Sequence, residues 1–456
     1  MIGFIHLSYF LAAILFLLGL KKMSHPRTAR PGIVWAGVGM LLAVLVTFLL
    51  IKNNLDLTNF ILIISAMVIG TVLAWVSGKR VAMTAMPQMI ALYNGMGGGA
   101  AAAIAASETL SSSHHLLNLT LALIGGLIGM IAFSGSLIAF AKLQGIIRKT
   151  ITLPLHNISM AIFGLIILGL LGVLLFYSEQ QALLAVYFGL LFLYGIFMTL
   201  SIGGANMPVV ISLFNAMTGL AVAFEGFVLA NPLMMVAGII VGASGTLLTL
   251  LMAKAINQSV TAILFTPHHD GPITTQGIEG TLKPINATDA GVMLAYAQKI
   301  IIVPGYGMAV AQAQNKIWEL AKLLMERQIQ VKFAIHPVAG RMPGHMNVLL
   351  AEAGVPYDFV FTMDEINEEF AATDVAMVIG ANDIVNPIAS QSKESPLYGL
   401  PVLHVERAKN VIVIKRGQGR GFSGVENSLF YMDHTRMLYG NAQPVISELI
   451  QAAKQY

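Results

Sequence analysis

Nine apolar segments, each about as long as a bilayer-spanning helix, follow one another in the first 256 residues of this 456-residue chain. A helix needs about 20 largely apolar residues to cross the hydrocarbon core, because each residue advances the chain by about 1.5 Å. The first part of the chain is therefore predicted to form a multi-span α-helical membrane domain. The predicted spans are Ile2–Leu20, Ile33–Ile51, Thr58–Ser77, Pro87–Ala106, Leu116–Ala141, Leu155–Tyr177, Gln181–Ile202, Met207–Leu229 and Pro232–Ile256.

Charge is scarce and unevenly distributed. Hydrophobic residues make up 56% of the chain and charged residues only 11%, whereas soluble proteins carry roughly 25% charged residues. Up to residue 258, eleven basic residues stand against four acidic ones, while the remainder has an acidic excess. This excludes an ordinary soluble enzyme, a disordered protein and a basic nucleic-acid binder. The absence of cysteine excludes disulfides and thiolate metal sites.

The loop charges predict how the spans are oriented. The first span has no positive charge before it and is followed by Lys21 and Lys22, so it is predicted to be an anchor and not a cleaved signal peptide. With the N-terminus outside, only Lys52 lies in an outside loop. The positive-inside rule then places everything after Ile256 in the cytoplasm. The inside residues are Lys21, Lys22, Arg27, Arg30, Lys79, Arg80, Lys142, Arg148, Lys149 and Lys254.

A change of pattern marks the end of the membrane part. We predict a transmembrane domain at 1–258, a cytoplasmic linker at 259–289 and a separate soluble domain at 290–456. The stretch Thr266–Asp289 is rich in proline and glycine and has no apolar periodicity. His268-His269-Asp270 within it is predicted to be a solvated loop, since three adjacent residues do not easily converge on one metal ion.

Short apolar runs and amphipathic stretches alternate from about Asn286 onward. Thr288-Asp289 is predicted to cap a helix that ends at Gln298, and further helices are predicted at Val310–Arg327 and His345–Ala353. Alternating strands and helices predict an α/β, Rossmann-like domain with a doubly wound parallel sheet. The predicted strands are Ile300–Val303, Val331–Ile335, Phe359–Phe361, Val375–Ile379, Val402–Val405 and Val411–Ile414.

A glycine-rich turn follows the first predicted strand of this domain. Gly305, Tyr306 and Gly307 lie between the strand and a predicted helix, the arrangement that lets a backbone approach a pyrophosphate. Val310 replaces the third glycine of the usual dinucleotide fingerprint. The motif alone therefore leaves two interpretations open, a dinucleotide site or a tight turn in an unrelated α/β domain.

Two basic residues indicate which dinucleotide would bind. NAD sites usually place an acid at the end of the second strand, yet this strand ends in Ile335-His336-Pro337. Lys415 and Arg416 instead follow what is predicted to be the last strand, ahead of a glycine-rich loop. Adjacent cations suit a phosphate monoester, which favours NADP(H) over NAD(H). The alternative interpretation is that Lys415 and Arg416 only form a solvated strand end and bind no phosphate.

Two other loops follow strand ends on the same predicted edge of the sheet. In the first, Arg341 is a candidate to neutralise a pyrophosphate. In the second, Asp383 is either a titrating group beside the nicotinamide or only a cap for the following turn. The residue pattern leaves both possibilities open.

The membrane part contains few groups able to carry a proton. Glu225 is the one carboxylic acid well inside a predicted span, where a charged acid costs roughly 2.5–3.5 kcal/mol on insertion scales. It is therefore a candidate proton carrier, unless it lies near the outer interface and is solvated. Asn94 and Asn215 lie mid-span beside small residues, and they either pack helices together or hold a water molecule.

Several of these motifs together resemble the beta subunit of proton-translocating NAD(P) transhydrogenases. They are the runs Pro304–Gln314 and His336–Gly344, the Gly380-Ala381-Asn382-Asp383 loop and Lys415-Arg416. The resemblance extends over essentially the whole chain, including the nine spans. It implies an NADP(H) site in the C-terminal domain, with the nucleotide flipped relative to the usual Rossmann orientation. The cofactor-binding residues it implies are Gly305, Tyr306, Gly307, Val338, Ala339, Gly340, Arg341, Met342, Pro343, Gly380, Ala381, Asn382, Asp383, Ile384, Gly399, Leu400, Lys415, Arg416, Gly417, Gln418, Gly419, Arg420, Gly421, Phe422, Asn441 and Ala442.

The resemblance also implies a proton path through Asn94 and Asn215. Some members of the family carry histidine at the position of Asn94, and many carry aspartate at the position of Asn206. An amide does not titrate near neutral pH, so these positions cannot relay a proton by ionising. The titrating group is then expected to be Glu225 or a group supplied by a partner subunit.

The resulting hypothesis is a subunit that couples inward proton movement to hydride transfer from NADH to NADP+. Because this chain shows one nucleotide domain, NAD(H) is expected on a separate alpha subunit, in a dimer of alpha–beta units in the bacterial inner membrane. The rival hypotheses are a membrane transporter or channel regulated by a nucleotide-binding domain, and a non-catalytic membrane scaffold. Neither a metal nor a nucleic acid is expected.

Overall fold

A computed structural model gives the architecture of the chain. It describes residues 2–24, 28–51, 56–110, 115–147, 149–177, 180–265, 280–342, 344–392, 395, 397–417, 419, 421 and 423–455. Contacts divide the chain into two compact units. The first holds the chain up to Thr249 together with Leu264 and Phe265, and the second holds Leu250–Ile263 and the whole α/β domain.

Within the described residues, nine helices are long and apolar enough to cross a membrane. They agree with the nine predicted spans to within a few residues at either end, since a continuous apolar run of this length is the sequence requirement of a spanning helix. The helices are α1 (Ile2–Met23), α2 (Ala29–Ile51), α3 (Leu57–Arg80), α4 (Met86–Thr109), α5 (Leu116–Leu143), α6 (His156–Leu174), α7 (Gln181–Leu200), α8 (Met207–Val228) and α9 (Pro232–Ala255).

Glycines allow close contact between α4 and α5 in the first unit. A Cβ on Gly98 would lie 2.8 Å from the carbonyl oxygen of Gly129, and one on Gly129 would lie 2.7 Å from that of Gly98. Both distances are shorter than a van der Waals contact. The two helix backbones can therefore come this close only because these positions carry no side chain. Lys142 at the end of α5 donates to the carbonyl oxygens of Leu200 and Ile202, 2.6 Å each, and so satisfies free carbonyls where α7 ends.

Strands and helices alternate in the second unit, as predicted. The strands are β1 (Lys299–Pro304), β2 (Gln330–Ile335), β3 (Val360–Thr362), β4 (Val375–Ile379), β5 (Asn410–Lys415) and β6 (Thr435–Tyr439). The helices are α10 (Val260–Phe265), α11 (Ala287–Ala295), α12 (Tyr306–Val310), α13 (Gln314–Glu326), α14 (His345–Glu352), α15 (Met363–Ile366), α16 (Ile388–Gln391) and α17 (Ala442–Gln455).

All six strands are parallel and form one sheet in the order β3-β2-β1-β4-β5-β6. Ile300 pairs with Val331 on one side and with Val375 on the other, so β1 lies at the centre. Every residue of β4 is buried, as expected for a strand covered by helices on both faces. This is the doubly wound order, with its switch point between β1 and β4.

The structure corrects four details of the sequence prediction. Val402–Val405 is not a strand, and a short 3-10 helix covers Val405–Arg407 instead. The strand β6 was missed, so Lys415 ends an inner strand and not the last one. The helix predicted at Val310–Arg327 begins later, as α13 at Gln314, and the short α12 ends at Val310 before it. The cap of α11 is Asn286 and not Thr288-Asp289, since the Asn286 side chain accepts from the Asp289 amide at 2.7 Å. The same helix ends at Ala295 and not at Gln298.

Candidate functional site

The carboxyl ends of the parallel strands bring the predicted nucleotide-binding loops to one edge of the sheet. The loops after β1 and β4 flank the switch point, where doubly wound sheets open a crevice for a ligand. The loops after β2, β5 and β6 extend this edge on either side. The sheet topology thus places together segments that lie far apart in sequence.

The two glycines of the motif after β1 serve a close approach between loops. The Gly305 amide donates to the carbonyl oxygen of Ile379 at 2.8 Å, and the Gly307 amide donates to that of Gly380 at 2.9 Å. A Cβ on Gly307 would lie 2.6 Å from the Cα of Gly380, which has a positive φ of 61°. These two amides are engaged within the protein, so the usual fingerprint in which they face a pyrophosphate does not transfer.

A cluster of Tyr306, Arg341 and His345 organises the loop after β2. The Arg341 guanidinium lies 4.5 Å from the centre of the Tyr306 ring, and the Arg341 amide donates to Nδ1 of His345 at 3.0 Å. Burial and then the positive charge of Arg341 lower the pKa of His345, so the ring is neutral and able to accept. Gly340 has a positive φ of 108°, and a Cβ there would overlap this histidine.

His336 connects the same loop to a second one. Its Nδ1 accepts from the Val338 amide at 3.2 Å, and its Nε2 lies 2.7 Å from the carbonyl oxygen of Pro401. Burial lowers the pKa of His336 to about 4, only partly offset by the bond to Pro401. Pro401 directly follows Gly399 and Leu400, two of the residues expected at the nucleotide.

Asp383, expected either beside the nicotinamide or as a cap, lies in the loop after β4. Its carboxylate accepts from the amide and the hydroxyl of Ser423, at 3.1 and 2.8 Å. In addition, the Asn427 side chain donates to the carbonyl and the side-chain oxygens of Asn382, at 2.9 and 3.1 Å. The loop after β4 is thereby fixed to the segment after β5. Both roles expected of Asp383, a cap for the following turn or a group beside the nicotinamide, stay predictions.

Lys415 and Arg416 differ in their surroundings. Lys415 Nζ lies 4.8 Å from the centre of the Phe430 ring, and burial lowers the pKa of this lysine against the opposing effect of Asp383. Arg416 is exposed. A small cleft of about 20 Å³ opens beside Lys415, and its lining is mixed, with Asn382 and Asn427 beside the apolar Leu282 and Met437. Lys415 is therefore a partly desolvated cation at this cleft, and Arg416 is an exposed cation next to it in sequence.

The remaining expected residues lie around the same edge. Gly440, with a positive φ of 153°, leads from β6 to Asn441 and to Ala442 at the start of α17, and its amide donates to the Lys415 carbonyl at 3.0 Å. Four expected cofactor residues fall outside the described residues, namely Pro343, Gln418, Arg420 and Phe422. The loop His268-His269-Asp270 also falls outside them. Among the described residues, no group of side chains suits a metal ion.

In the membrane unit, the structure brings Asn94 to a polar contact between three helices. Asn94 on α4 donates through its amide to Ser136 on α5 at 3.2 Å, and Thr218 on α8 donates to the Asn94 carbonyl oxygen at 3.5 Å. Asn215 is half-buried one turn before Thr218. Asn206, also buried, precedes the first turn of α8.

Glu225 lies ten residues beyond Asn215 on α8, about 15 Å along the helix axis. Its exposure is 0%, and neither carboxyl oxygen has a hydrogen-bond partner among the described residues. Gly125 on α5 provides the space for it, because a Cβ at that position would overlap Oε1. Glu225 is therefore buried and is not solvated in this structure.

Several residues of the site have no signal in the sequence pattern. His336 and His345 flank the Arg341 loop, but the carbonyl that His336 contacts is 65 residues away. Ser423 and Asn427 hold the Asp383 loop across 40 and 45 residues. Only the position of His336 directly after a strand end could have indicated a role at this edge.

Comparison with known proteins agrees with this geometry. The profile of the family described as "NAD(P) transhydrogenase beta subunit" matches residues 5–452. Two relatives named "NAD(P) transhydrogenase subunit beta", both from Rhodospirillum rubrum and one from a named strain, are each 42% identical over 459 residues. In each case the match covers 98% of this chain and 98% of the relative. The chain belongs to the NAD(P) transhydrogenase beta subunit family.

Proposed function

We propose that this chain is the NADP(H)-binding, proton-translocating subunit of an NAD(P) transhydrogenase. The observation that carries the proposal is a combination found in the described part of this family member. Nine helices there are long enough to cross a bilayer, and a parallel sheet has a switch point of the kind at which nucleotides bind. In the proposed reaction, hydride transfer from NADH to NADP+ is coupled to inward proton movement. NADP(H), when bound, exchanges the hydride at its nicotinamide ring.

Lys415 and Arg416 support NADP(H) as the nucleotide on this chain. A 2′-phosphate is a compact dianion, and its recognition favours cations whose charge is not fully screened by water. Lys415 meets that condition because it is half-buried beside the small cleft at the end of β5. Arg416 adds a second cation, with five N–H donors, at the adjacent position. The chemistry of the donor set therefore fits the phosphorylated nucleotide.

The second nucleotide, NAD(H), is proposed to bind to the alpha subunit. The described part of this chain contains one parallel sheet and one switch point, enough for a single dinucleotide crevice. Direct hydride transfer requires two nicotinamide rings to be held in contact with water excluded. On this chain, the loops after β1, β2 and β4 would hold one ring in place, and the partner would present the other.

Glu225 is the group we propose to bind the translocated proton. A buried carboxyl without a hydrogen-bond partner strongly disfavours its charged form, so the site holds a neutral, protonated acid. The amides of Asn94, Asn215 and Asn206 cannot ionise, but they can orient water between Glu225 and the other end of α8. Deprotonation of Glu225 would require water or a partner group to enter the contact between α5 and α8.

The loop charges support an inner-membrane orientation with the N-terminus outside and the nucleotide domain in the cytoplasm. In that orientation α8 begins at the inner surface. Glu225 then lies near the outer end, and the Asn94–Ser136 contact lies nearer the inner end. Protons moving inward would meet the carboxyl group first. A dimer of alpha–beta units is the assembly that we propose for the complete enzyme.

Reconstitution tests the proposed function. The chain is placed with its alpha partner in sealed vesicles, with the nucleotide domains facing the medium and a pH dye in the lumen. Adding NADPH with NAD+ is expected to acidify the lumen, while NADH with NADP+ is expected to make it alkaline. A protonophore should abolish both pH changes while hydride transfer continues.

Two outcomes would contradict the proposal. Hydride transfer with no change of luminal pH in tight vesicles would show an uncoupled dehydrogenase. Ion movement that responds to nucleotide but occurs without hydride transfer would show a regulated transporter or channel. Both quantities are measured in the same vesicles, so the two outcomes are distinguishable.

A further inference from the structure

His336 is a buried histidine, 1% exposed, whose two ring nitrogens contact two different loops. An amide N–H can only donate and a carbonyl oxygen can only accept. Because Nδ1 faces the Val338 amide and Nε2 faces the Pro401 carbonyl, the ring must be neutral with its proton on Nε2. Its geometry therefore specifies one tautomer and one orientation.

The two loops that meet at this ring are distant in sequence but share one expected ligand. Val338 begins the loop after β2, which contains Arg341. Pro401 lies two residues after Gly399, which has a positive φ of 80° and whose amide donates a hydrogen bond to the Ala389 carbonyl oxygen at 2.9 Å, so that turn has a defined shape. Asn367 holds the same segment from the other side, since its side chain donates to the Val402 carbonyl at 3.1 Å.

We propose that His336 is a positioning residue that fixes the spacing between these two nucleotide-binding loops, and that NADP(H) affinity depends on both of its hydrogen bonds. The inference rests on the proposed function, because it takes NADP(H) as the ligand of both loops. His336 itself is buried below the loops and does not touch the nucleotide. A ligand that spans two loops binds more tightly when their spacing is set before it arrives.

Three substitutions of His336 test its two hydrogen bonds, to Val338 and to Pro401, separately. His336→Asn keeps an acceptor at the position of Nδ1 and loses the donor to Pro401. His336→Gln keeps a donor at the position of Nε2 and loses the acceptor for Val338. His336→Phe retains a planar ring and loses both bonds. The matched control is His434→Phe, which removes a similar ring-to-carbonyl contact, 3.1 Å to Glu406, just before β6 at the opposite edge of the sheet.

The measurement is the Kd of NADPH, followed by its fluorescence, together with KM and kcat in the enzyme reconstituted with its alpha partner. Net hydrogen-bond contributions predict that His336→Phe raises the Kd of NADPH by roughly 5- to 150-fold. His336→Asn and His336→Gln should each show a smaller rise. The KM for NADH, which binds elsewhere, should stay within about twofold of the wild-type value, and His434→Phe should bind NADPH normally.

The outcomes separate this inference from the proposed function. A folded His336→Phe variant with wild-type NADPH affinity would show that the ring only fills space. The inference would also be overturned if all three variants lost NADPH affinity equally and in proportion to their loss of thermal stability, with no affinity retained by His336→Asn or His336→Gln. His336 would then have only a general structural role. A wild-type enzyme that does not bind NADPH at all would instead contradict the proposed function.

Discussion

The proposed preference of this domain for NADP(H) depends on two single residues. Lys415 and Arg416 are neighbours in sequence, but the lysine is half-buried against Phe430 and the arginine is exposed. Lys415 also has a structural role. Its backbone carbonyl oxygen accepts a hydrogen bond from the Gly440 amide, which joins β5 to the turn after β6. Arg416 is therefore the better residue for testing phosphate recognition without disturbing the sheet.

Arg416→Ala is expected to weaken NADP(H) binding by about 10- to 150-fold, the range for losing a hydrogen bond between two charged groups. NAD(H), which lacks the 2′-phosphate, should lose far less. The measurement is the Kd of both reduced nucleotides on the same preparation. Arg407→Ala is a control, because that arginine lies before β5 at the opposite edge of the sheet. Equal losses for the two nucleotides would remove the 2′-phosphate argument.

At the scale of elements, the sequence predicted most of what depends on local pattern. The nine spans were predicted because a bilayer requires long apolar runs, and β4 because it is a short apolar run. The strand β6 was missed because Arg436 interrupts a short run that ends at Tyr439. Val402–Val405 was wrongly predicted as a strand because an apolar run does not reveal that its amides bond outside any strand pairing, Leu403 to the Ile384 carbonyl and Val405 to the Leu403 carbonyl.

Contacts between elements could not be predicted in the same way. The pairing of Gly125 with Glu225 joins α5 to α8 across a hundred residues, and no periodicity within either helix indicates it. The same holds for the ring of His336, whose partners are specified by the fold. The sequence thus predicted a titratable group and a set of nucleotide-binding loops, whereas the contacts that support them depend on tertiary packing.

Gly125→Ala tests the α5–α8 contact. The added methyl group would overlap Glu225 Oε1 and lie 3.2 Å from the Phe224 Cβ, so we expect a loss of stability of about 1–3 kcal/mol from overpacking. Thermal unfolding of the purified protein measures it. Gly169→Ala on α6 is the control, since nothing lies within 4 Å of a Cβ there.

A double variant makes this test specific. Gly125→Ala combined with Glu225→Ala removes the side chain that the new methyl group meets, so the combined loss should be smaller than the sum of the two single losses. Strictly additive losses would show that the glycine does not accommodate Glu225.

At the scale of the whole molecule, function requires proton binding in one unit to change nucleotide affinity in the other. Such coupling is a free energy shared between two sites, and it acts in both directions. If Glu225 is the proton site, protonation of this one group must alter the affinity for NADP(H), and NADP(H) must alter how readily the group takes up a proton. The affinity for NADP(H) would then depend on pH through a residue that lies far in sequence from the residues expected to bind the nucleotide.

Glu225→Gln is the variant that tests this coupling, because the amide keeps the volume over Gly125 and cannot ionise. In the wild-type enzyme, log Kd for NADPH is expected to change with pH by up to one unit per pH unit, the limit for one linked proton. In Glu225→Gln the profile should be flat, and proton movement in vesicles should be lost. Ser212→Ala, which removes another buried polar group from α8, should retain the wild-type profile. An unchanged pH profile in Glu225→Gln would exclude this carboxyl as the coupling group.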